Sequence, residues 1–216
     1  MKKLVNSVDL HDMHFALQSI EIKKLIRDYQ PKEVLIDGTG VGVGLMDFLV
    51  LDQFDDKTGE LLPGVASMNN EDYMKYPGDK IIYLLKATSG LNSEIHSTFY
   101  NQVMNGHCRF LISEQVAKTK LMATKRGAKM TPTEKMARLA PHMETTRLFE
   151  EVCNLRIKQT GANMMVERVN SRINKDRFSA AEYALWRIKA MEDEYFKSKV
   201  RKKIDFTSFV LFSKGG

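Results

Sequence analysis

The chain has few of the features that define the commonest enzyme and scaffold classes. Its two cysteines, Cys108 and Cys153, lie in separate apolar stretches without a CxxC or Cys/His spacing, so neither a disulfide framework nor a zinc site is predicted. No apolar run approaches the roughly 20 residues of a membrane-spanning helix, and the residues after Lys2 and Lys3 are too polar for a secretory signal. We therefore expect a soluble protein of a reducing compartment, the cytoplasm.

Nucleotide-binding motifs are also missing. The chain contains no GK[ST] triplet, so it has no phosphate-gripping P-loop of the kind that drives ATPase motors. A dinucleotide-binding GxGxxG fingerprint that begins at Gly38 or Gly40 would place its last glycine where Val43 or Leu45 stands. The glycine-rich turn at 38–44 is therefore only weak evidence for a dinucleotide site.

Length and composition favour one α/β domain. The 216 residues, 43% of them hydrophobic, can form a substantial core. We assign residues 1–200 to this domain and residues 201–216 to a basic and apolar tail. The 33 Lys and Arg against 27 Asp and Glu give a formal charge of +6, which is modest evidence for a polyanionic partner.

Apolar patterns at the start of the chain predict a βαβ unit. Leu4 and Val5 resemble the end of a strand, the next apolar positions have helical spacing up to Tyr29, and Gln30-Pro31 ends that helix. Residues 33–37 then form a buried strand, which we expect to pair in parallel with the first one.

The rest of the chain continues the alternation of strands and helices. Thr131 as N-cap, with Pro132 and Glu134 after it, is typical of a helix start, and Pro141 predicts a restart of that helix. The basic, apolar-poor residues 118–129 predict a mobile loop. Strands are expected at 65–68, 80–85 and 109–112, and a β-hairpin at 155–158 and 164–169. Helices are expected at 89–105, at 141–153 and from 176 or 177 to about 199, while the helix that the pattern starts at 114–122 gives way to the mobile loop.

Asp37 is the first candidate site residue, because it ends the strand at 33–37 and stands above the glycine-rich turn. Open α/β sheets place their chemistry at this end of the strands. The carboxylate can bind a metal ion there, while the glycines let a nucleic-acid backbone approach. The Asp37 carboxylate can also cap the turn or the next helix, and the residues alone favour this capping role over metal binding.

Asp176 is the second candidate and stands at the head of the long final helix, among the bases Arg172, Lys175 and Arg177. In one interpretation Asp176 is an ordinary N-cap and the bases are its ion-pair partners. In the other it is a second metal-binding carboxylate on a rigid element, with basic neighbours placed to contact phosphates. Spacing alone leaves both open.

Two motifs and their order in the chain carry a family resemblance. They are residues 35–44, preceded by the helix pattern at 18–25, and residues 175–183. Between them follow an acidic loop at 52–60, a strand at 81–83, a strand end at 110–114, a basic loop and a helix around 144–146. Over about residues 10–190 the chain resembles the nuclease domain of the large terminase subunits of tailed phages and prophages.

The resemblance implies a ribonuclease H-like mixed sheet flanked by helices, in an endonuclease that cuts concatemeric double-stranded DNA during viral DNA packaging in the host cytoplasm. Asp37 and Asp176 match two of the family's catalytic carboxylates, which hold two Mg²⁺ or Mn²⁺ ions. The family's first-strand aspartate has no counterpart, and the chain is expected to lack the first strands of the sheet. A truncated protein, a split gene or an inactive remnant would each account for this.

The expected partners follow from the same resemblance. They are double-stranded DNA, the ATPase part and missing strands of the large terminase, the small terminase subunit and the portal, and a second copy of the chain. A non-catalytic DNA- or protein-binding module and a nucleotide-binding enzyme remain alternatives. The residues expected to contact DNA are Lys118, Lys120, Lys125, Arg126, Lys129, Arg172, Lys175 and Arg177.

Overall fold

The computed structural model describes residues 1–10, 12–39 and 41–203, which form a mixed α/β protein with small parallel and antiparallel sheets. The helices are α1 (Phe15–Tyr29), α2 (Val41–Leu49), α3 (Glu71–Met74), α4 (Ser89–Met104), α5 (Glu114–Met122), α6 (Lys125–Lys129), α7 (Pro132–Cys153) and α8 (Asp176–Lys203). The strands are β1 (Lys2–Lys3), β2 (Val34–Asp37), β3 (Gln53–Phe54), β4 (Leu61–Leu62), β5 (Val65–Ser67), β6 (Asp79–Leu85), β7 (Cys108–Arg109), β8 (Leu155–Thr160) and β9 (Asn163–Arg168). None of the described helices combines the length and the apolar character needed to cross a membrane. The tail predicted at 201–216 lies outside the described residues from residue 204 onward.

A parallel sheet forms the centre of the fold. Its three strands have the order β2-β6-β5, and Val34 to Asp37 of β2 pair with Ile82 to Leu85 of β6. The core beside this sheet includes Met46 and Leu49 of α2, which are fully buried together with Ile82. Because β2 is anchored in this core, its end at Asp37 has a defined position.

The predicted pairing of the first two strands is wrong. β1 pairs in parallel with β7, through Lys2 with Cys108 and Lys3 with Arg109, while β2 pairs with β6. The apolar pattern located β2 but put the end of the first strand at Leu4 and Val5, just after β1, and it could not select strand partners, because pairing depends on contacts that are distant in sequence. β1 and β2 are therefore not neighbours in one sheet.

The predicted break at Pro141 is also wrong, because α7 continues through this residue. A proline removes one backbone donor and normally kinks or ends a helix. Here the following turn is held by Thr145 and Thr146, whose hydroxyls donate to the carbonyl oxygens of Pro141 and His142 at 2.8 and 3.0 Å. Buried Leu148 then packs the second half of the helix into the core, which outweighs the local cost.

The basic stretch is helical, so the predicted mobile loop is wrong. Residues 114–129 form α5 and α6, and Ala117 is buried where α5 packs against α7. The amide of Glu114 donates to the Thr146 hydroxyl at 2.9 Å, and the Thr124 hydroxyl caps α6 through the Gly127 amide. Few buried apolar contacts are therefore enough here, because the helix ends are capped.

Several local predictions are confirmed. Thr131 and Glu134 form the reciprocal capping box at the start of α7. The hairpin is present as β8 and β9, with Gly161 at a positive φ of 60° in its turn. The final helix begins at Asp176 as predicted. These features depend on neighbouring residues only, so sequence patterns are sufficient to find them.

Candidate functional site

Asp37 lies at the exposed end of β2, at the carboxyl edge of the parallel sheet. Its Oδ1 accepts hydrogen bonds from the Thr39 amide at 3.0 Å and from the Thr39 hydroxyl at 2.6 Å. The turn-capping role is therefore present. Oδ2 has no hydrogen-bond partner among the residues described, so the same carboxylate can close the turn with one oxygen and offer the other to a ligand.

Gly42 explains why the turn above Asp37 is rich in glycine. A Cβ atom at this position would lie 1.7 Å from the carbonyl oxygen of Asp37, far inside van der Waals contact. The start of α2 can therefore rest against the end of β2 only when residue 42 has no side chain. This close approach sets the position of the Asp37 backbone.

Asp176 lies beside the same cavity as Asp37. It is the first residue of α8, and the carbonyl oxygen of Lys175 accepts the Ser179 amide at 2.9 Å to begin the helix. The two carboxylates and Lys175 line an open cavity of about 810 Å³ between β2 and α8. Residues 139 positions apart thus line one cavity from two regular elements, which is compatible with the metal-site interpretation.

Ser179 and Tyr183 also line this cavity, although sequence analysis assigned them no role. They follow Asp176 by three and seven positions, which places them on the same face of α8. The pKa of the Tyr183 hydroxyl is raised, first by burial and then by the negative charges of Asp37 and Glu182. Helical spacing from Asp176 is the signal that could have identified both residues.

The donor atoms suit a hard divalent cation but form a small set. Carboxylate oxygens are the ligands that Mg²⁺ prefers, and this ion is often bound by one or two carboxylates with water completing the shell. Among the described residues, no group of three or more His, Cys, Asp or Glu side chains forms a metal site. Two carboxylates with water are a sufficient ligand set for one such ion, whereas two bridged ions need a further carboxylate.

Arg177 points away from the cavity into a cluster of carboxylates. Its guanidinium donates to Glu144 at 2.6 Å and to Glu151 at 3.0 Å, and it also pairs with Asp9. Glu151 additionally accepts the Phe178 amide at 2.9 Å. The predicted contact of Arg177 with DNA would thus require the guanidinium to leave three carboxylates.

The other bases predicted to contact DNA fall into two groups. Lys175 lines the cavity, and Arg172 is exposed in the loop before α8. The remaining five are exposed on α5 and α6, and they are Lys118, Lys120, Lys125, Arg126 and Lys129. The second group is a basic helical surface, defined by these five residues, and it lies on different elements from the cavity.

The acidic residues near the turn have structural partners. Asp47 accepts the Tyr73 hydroxyl at 2.9 Å, and Asp52 accepts the Gly64 amide at 2.7 Å. Asp55 lies in the acidic loop yet is only 4% exposed, and Lys24 pairs with it at 3.0 Å. The buried Glu182 of the second motif pairs with His96 at 2.6 Å. None of these four carboxylates lines the cavity.

Comparison of the chain with protein-family models, curated proteins and solved structures finds no match.

Proposed function

We propose that this chain is a metal-dependent DNA endonuclease domain of a viral packaging terminase, with a ribonuclease H-like fold. The observation that supports this proposal is that Asp37 and Asp176, from motifs far apart in sequence, line one open cavity at the carboxyl edge of the parallel sheet. Lys175 beside them adds a positive charge suited to a phosphate. The open shape of the cavity leaves room for a nucleic-acid backbone.

Asp37 and Asp176 are the proposed ligands of Mg²⁺ or Mn²⁺. A pair of such ions would supply activation of a water molecule and stabilisation of the leaving 3′ oxygen of a phosphodiester. The third carboxylate that lines the cavity, Glu33, is held by Arg187, so Asp37 and Asp176 are the two proposed ligands, and we expect cutting by this chain alone to be weak or absent. The missing carboxylate would come from strands of the large terminase, which acts with its ATPase part, the small subunit and the portal on double-stranded DNA.

Replacement of either carboxylate should weaken metal binding. We expect Asp37→Asn and Asp176→Asn each to lower the affinity for Mn²⁺ by at least about tenfold, since loss of even supporting groups around a metal commonly has effects of this size. Isothermal titration of Mn²⁺ into the folded chain measures this directly. Thermal unfolding of the same samples separates loss of binding from loss of fold.

The matched control is Asp56→Asn, which removes the same charge from an exposed loop outside the cavity. Its Mn²⁺ affinity should equal that of the unchanged chain. Equal binding by all four proteins would reject Asp37 and Asp176 as ligands. Saturable nucleotide binding at the glycine turn without metal dependence would instead favour a nucleotide-binding enzyme.

A second candidate function is a non-catalytic DNA-binding module, which the basic helical surface on α5 and α6 favours. Its five bases are exposed, and the described residues show no ion pair to any of them. Binding to phosphates releases counterions from DNA and is therefore strongly salt-dependent. This function needs no metal ion.

Removal of charges from the basic helical surface should reduce the salt dependence of DNA binding. Lys118→Gln, Lys125→Gln and Lys129→Gln each remove one positive charge. If that charge contacts a phosphate, we expect the slope of log affinity against log salt concentration to become shallower by about one unit. Sequence preference should not change. Fluorescence anisotropy with a duplex at several salt concentrations measures the slope. Lys57→Gln, in the acidic loop, is the control, and a slope unchanged in all variants would place DNA elsewhere.

A further inference from the structure

Among the described residues, no strand lies beside the outer edge of β2. β2 is the terminal strand of the β2-β6-β5 sheet, and its only ladder partner in the described part of the chain is β6. Every second residue of β2 therefore turns its backbone N–H and C=O groups toward an edge where no described strand pairs with them. Exposed edges of this kind are normally covered, charged or paired with another strand.

This edge opens into a groove rather than onto a flat surface. Three cavities of about 510, 590 and 810 Å³ adjoin one another, because Leu35 lines the first and third, Val8 the first and second, and Ala184 the second and third. We call this space the β2-edge groove. It is bounded by β2, by residues 4–10 on the far side, and by α1 and α8 above and below.

The helices that border the groove present residues suited to covering a strand. On α8, Ala180, Ala184 and Ile188 lie on one face at intervals of four, yet all three are exposed. On α1, Leu25 and Ile26 line the apolar side of the groove. A helix face that borders a sheet and still remains exposed indicates that the layer beside it is incomplete.

We infer that the β2-edge groove receives an extended segment of a separate polypeptide, which pairs with β2 as an added strand. Such a strand would have helices on both faces, so its side chains should be apolar on both faces, as in the inner strands of parallel sheets. Backbone hydrogen bonds to β2 would provide affinity, as in other cases of strand addition. This inference rests on the proposed function, which already calls for strands of another polypeptide, and it names the place where such a strand would enter; peptide binding without metal tests it separately from the Mn²⁺ titration.

The groove geometry disfavours a second copy of the chain as the occupant. An isologous pair would bring two β2 edges together, but each edge is recessed behind residues 4–10 and between α1 and α8. Two recessed edges cannot meet without displacement of these walls. A single extended segment can enter the groove from its open end.

The described end of the chain leads away from the groove. α8 runs antiparallel to β2, since Asp176 shares a cavity with Asp37 and Arg187 pairs with Glu33 at 2.6 Å. The 16 residues that follow Arg187, up to Lys203, carry the helix about 24 Å beyond Glu33.

A designed peptide tests this inference without metal. The probe is a fluorescent peptide of alternating Val and Ile flanked by lysines, and its control carries a central proline, which cannot donate to a strand ladder. We expect the first peptide to bind the full chain in EDTA at least about tenfold more tightly, the factor expected when the control cannot form some of the ladder bonds. Binding should also slow hydrogen exchange at β2 amides.

Two substitutions locate the binding. Val8→Asp places a charge on the far wall of the groove and should weaken peptide binding by at least about tenfold, because an unpaired charge would be buried. Val116→Asp changes a similarly exposed valine on α5 and should have no effect. Equal binding of the two peptides would reject strand addition. A dimer that Val8→Asp dissociates, or β2 amides already protected by residues 204–216, would reject the separate polypeptide.

Discussion

Replacement of Arg177 by methionine should lower the free energy of unfolding by about 3–5 kcal/mol, the usual cost of removing one partner from a buried ion pair. Glu144 and Glu151, which are 8% and 3% exposed, would lose the guanidinium that holds them. Both carboxylates would then stay buried without this cation, which accounts for the size of the expected loss.

Urea denaturation at pH 7 measures this loss. Arg147→Met is the matched control, because Arg147 also pairs with Glu144 at 2.6 Å but its side chain is 49% exposed. Surface pairs of this kind contribute about 0–1 kcal/mol. If the two variants were equally stable, Arg177 would not be the central cation of the cluster. Its role as a DNA contact would then become the stronger interpretation.

Replacement of Gly42 by alanine should cost about 3 kcal/mol or more, at or above the upper end of the range for overpacking. The new Cβ atom would lie 1.7 Å from the Asp37 carbonyl oxygen, and a backbone atom cannot move aside as a flexible side chain can. α2 and the end of β2 would have to separate. We therefore expect weaker Mn²⁺ binding as well as lower stability.

The control for this prediction is Gly90→Ala, near the start of α4, where an added Cβ atom meets nothing within 4 Å. This change should raise stability by about 0.5–1 kcal/mol, because alanine loses less conformational freedom than glycine in a helix. Thermal unfolding and Mn²⁺ titration of both variants provide the comparison. Equal behaviour would show that the close approach at Gly42 is not a constraint on the site.

Sequence patterns were informative wherever the physics is local. The capping box at Thr131 and Glu134 and the position of Asp37 at a strand end all depend on residues a few positions apart. Apolar periodicity identified α1, β6 and α8 for the same reason. The mixed α/β class follows from this alternation of elements.

The features that could not be predicted, such as strand pairing and buried ion pairs, depend on contacts between segments that are distant in sequence. β1 pairs with β7 across more than 100 residues, and Arg177 finds Glu144 and Glu151 only because α7 and α8 meet. The helical state of α5 likewise requires α7 beside it. A short window of the sequence contains only one of the two contacting segments. Strand order and buried ion pairs could therefore not be predicted from it.

The same distinction applies to the candidate site. Asp37 and Asp176 were singled out from the two motifs and do line one cavity. The second role of Asp37, with Oδ1 engaged by Thr39, was one of the two interpretations left open, and the geometry accommodates both. The Lys and Arg residues predicted to contact DNA could be recognised in the sequence only by their positive charge. Their division between the cavity, the carboxylate cluster and the α5–α6 surface depends on tertiary structure.

The most direct test of the central claim is anomalous diffraction from crystals of the full chain grown with Mn²⁺. We predict an anomalous peak in the cavity between β2 and α8, about 2–2.5 Å from a carboxylate oxygen of Asp37 and of Asp176, the range for oxygen ligands of hard cations. The peak should be absent in Asp176→Asn crystals. A peak at other carboxylates, such as Asp52 and Asp55, or no peak in the unchanged chain, would contradict a metal site formed by Asp37 and Asp176.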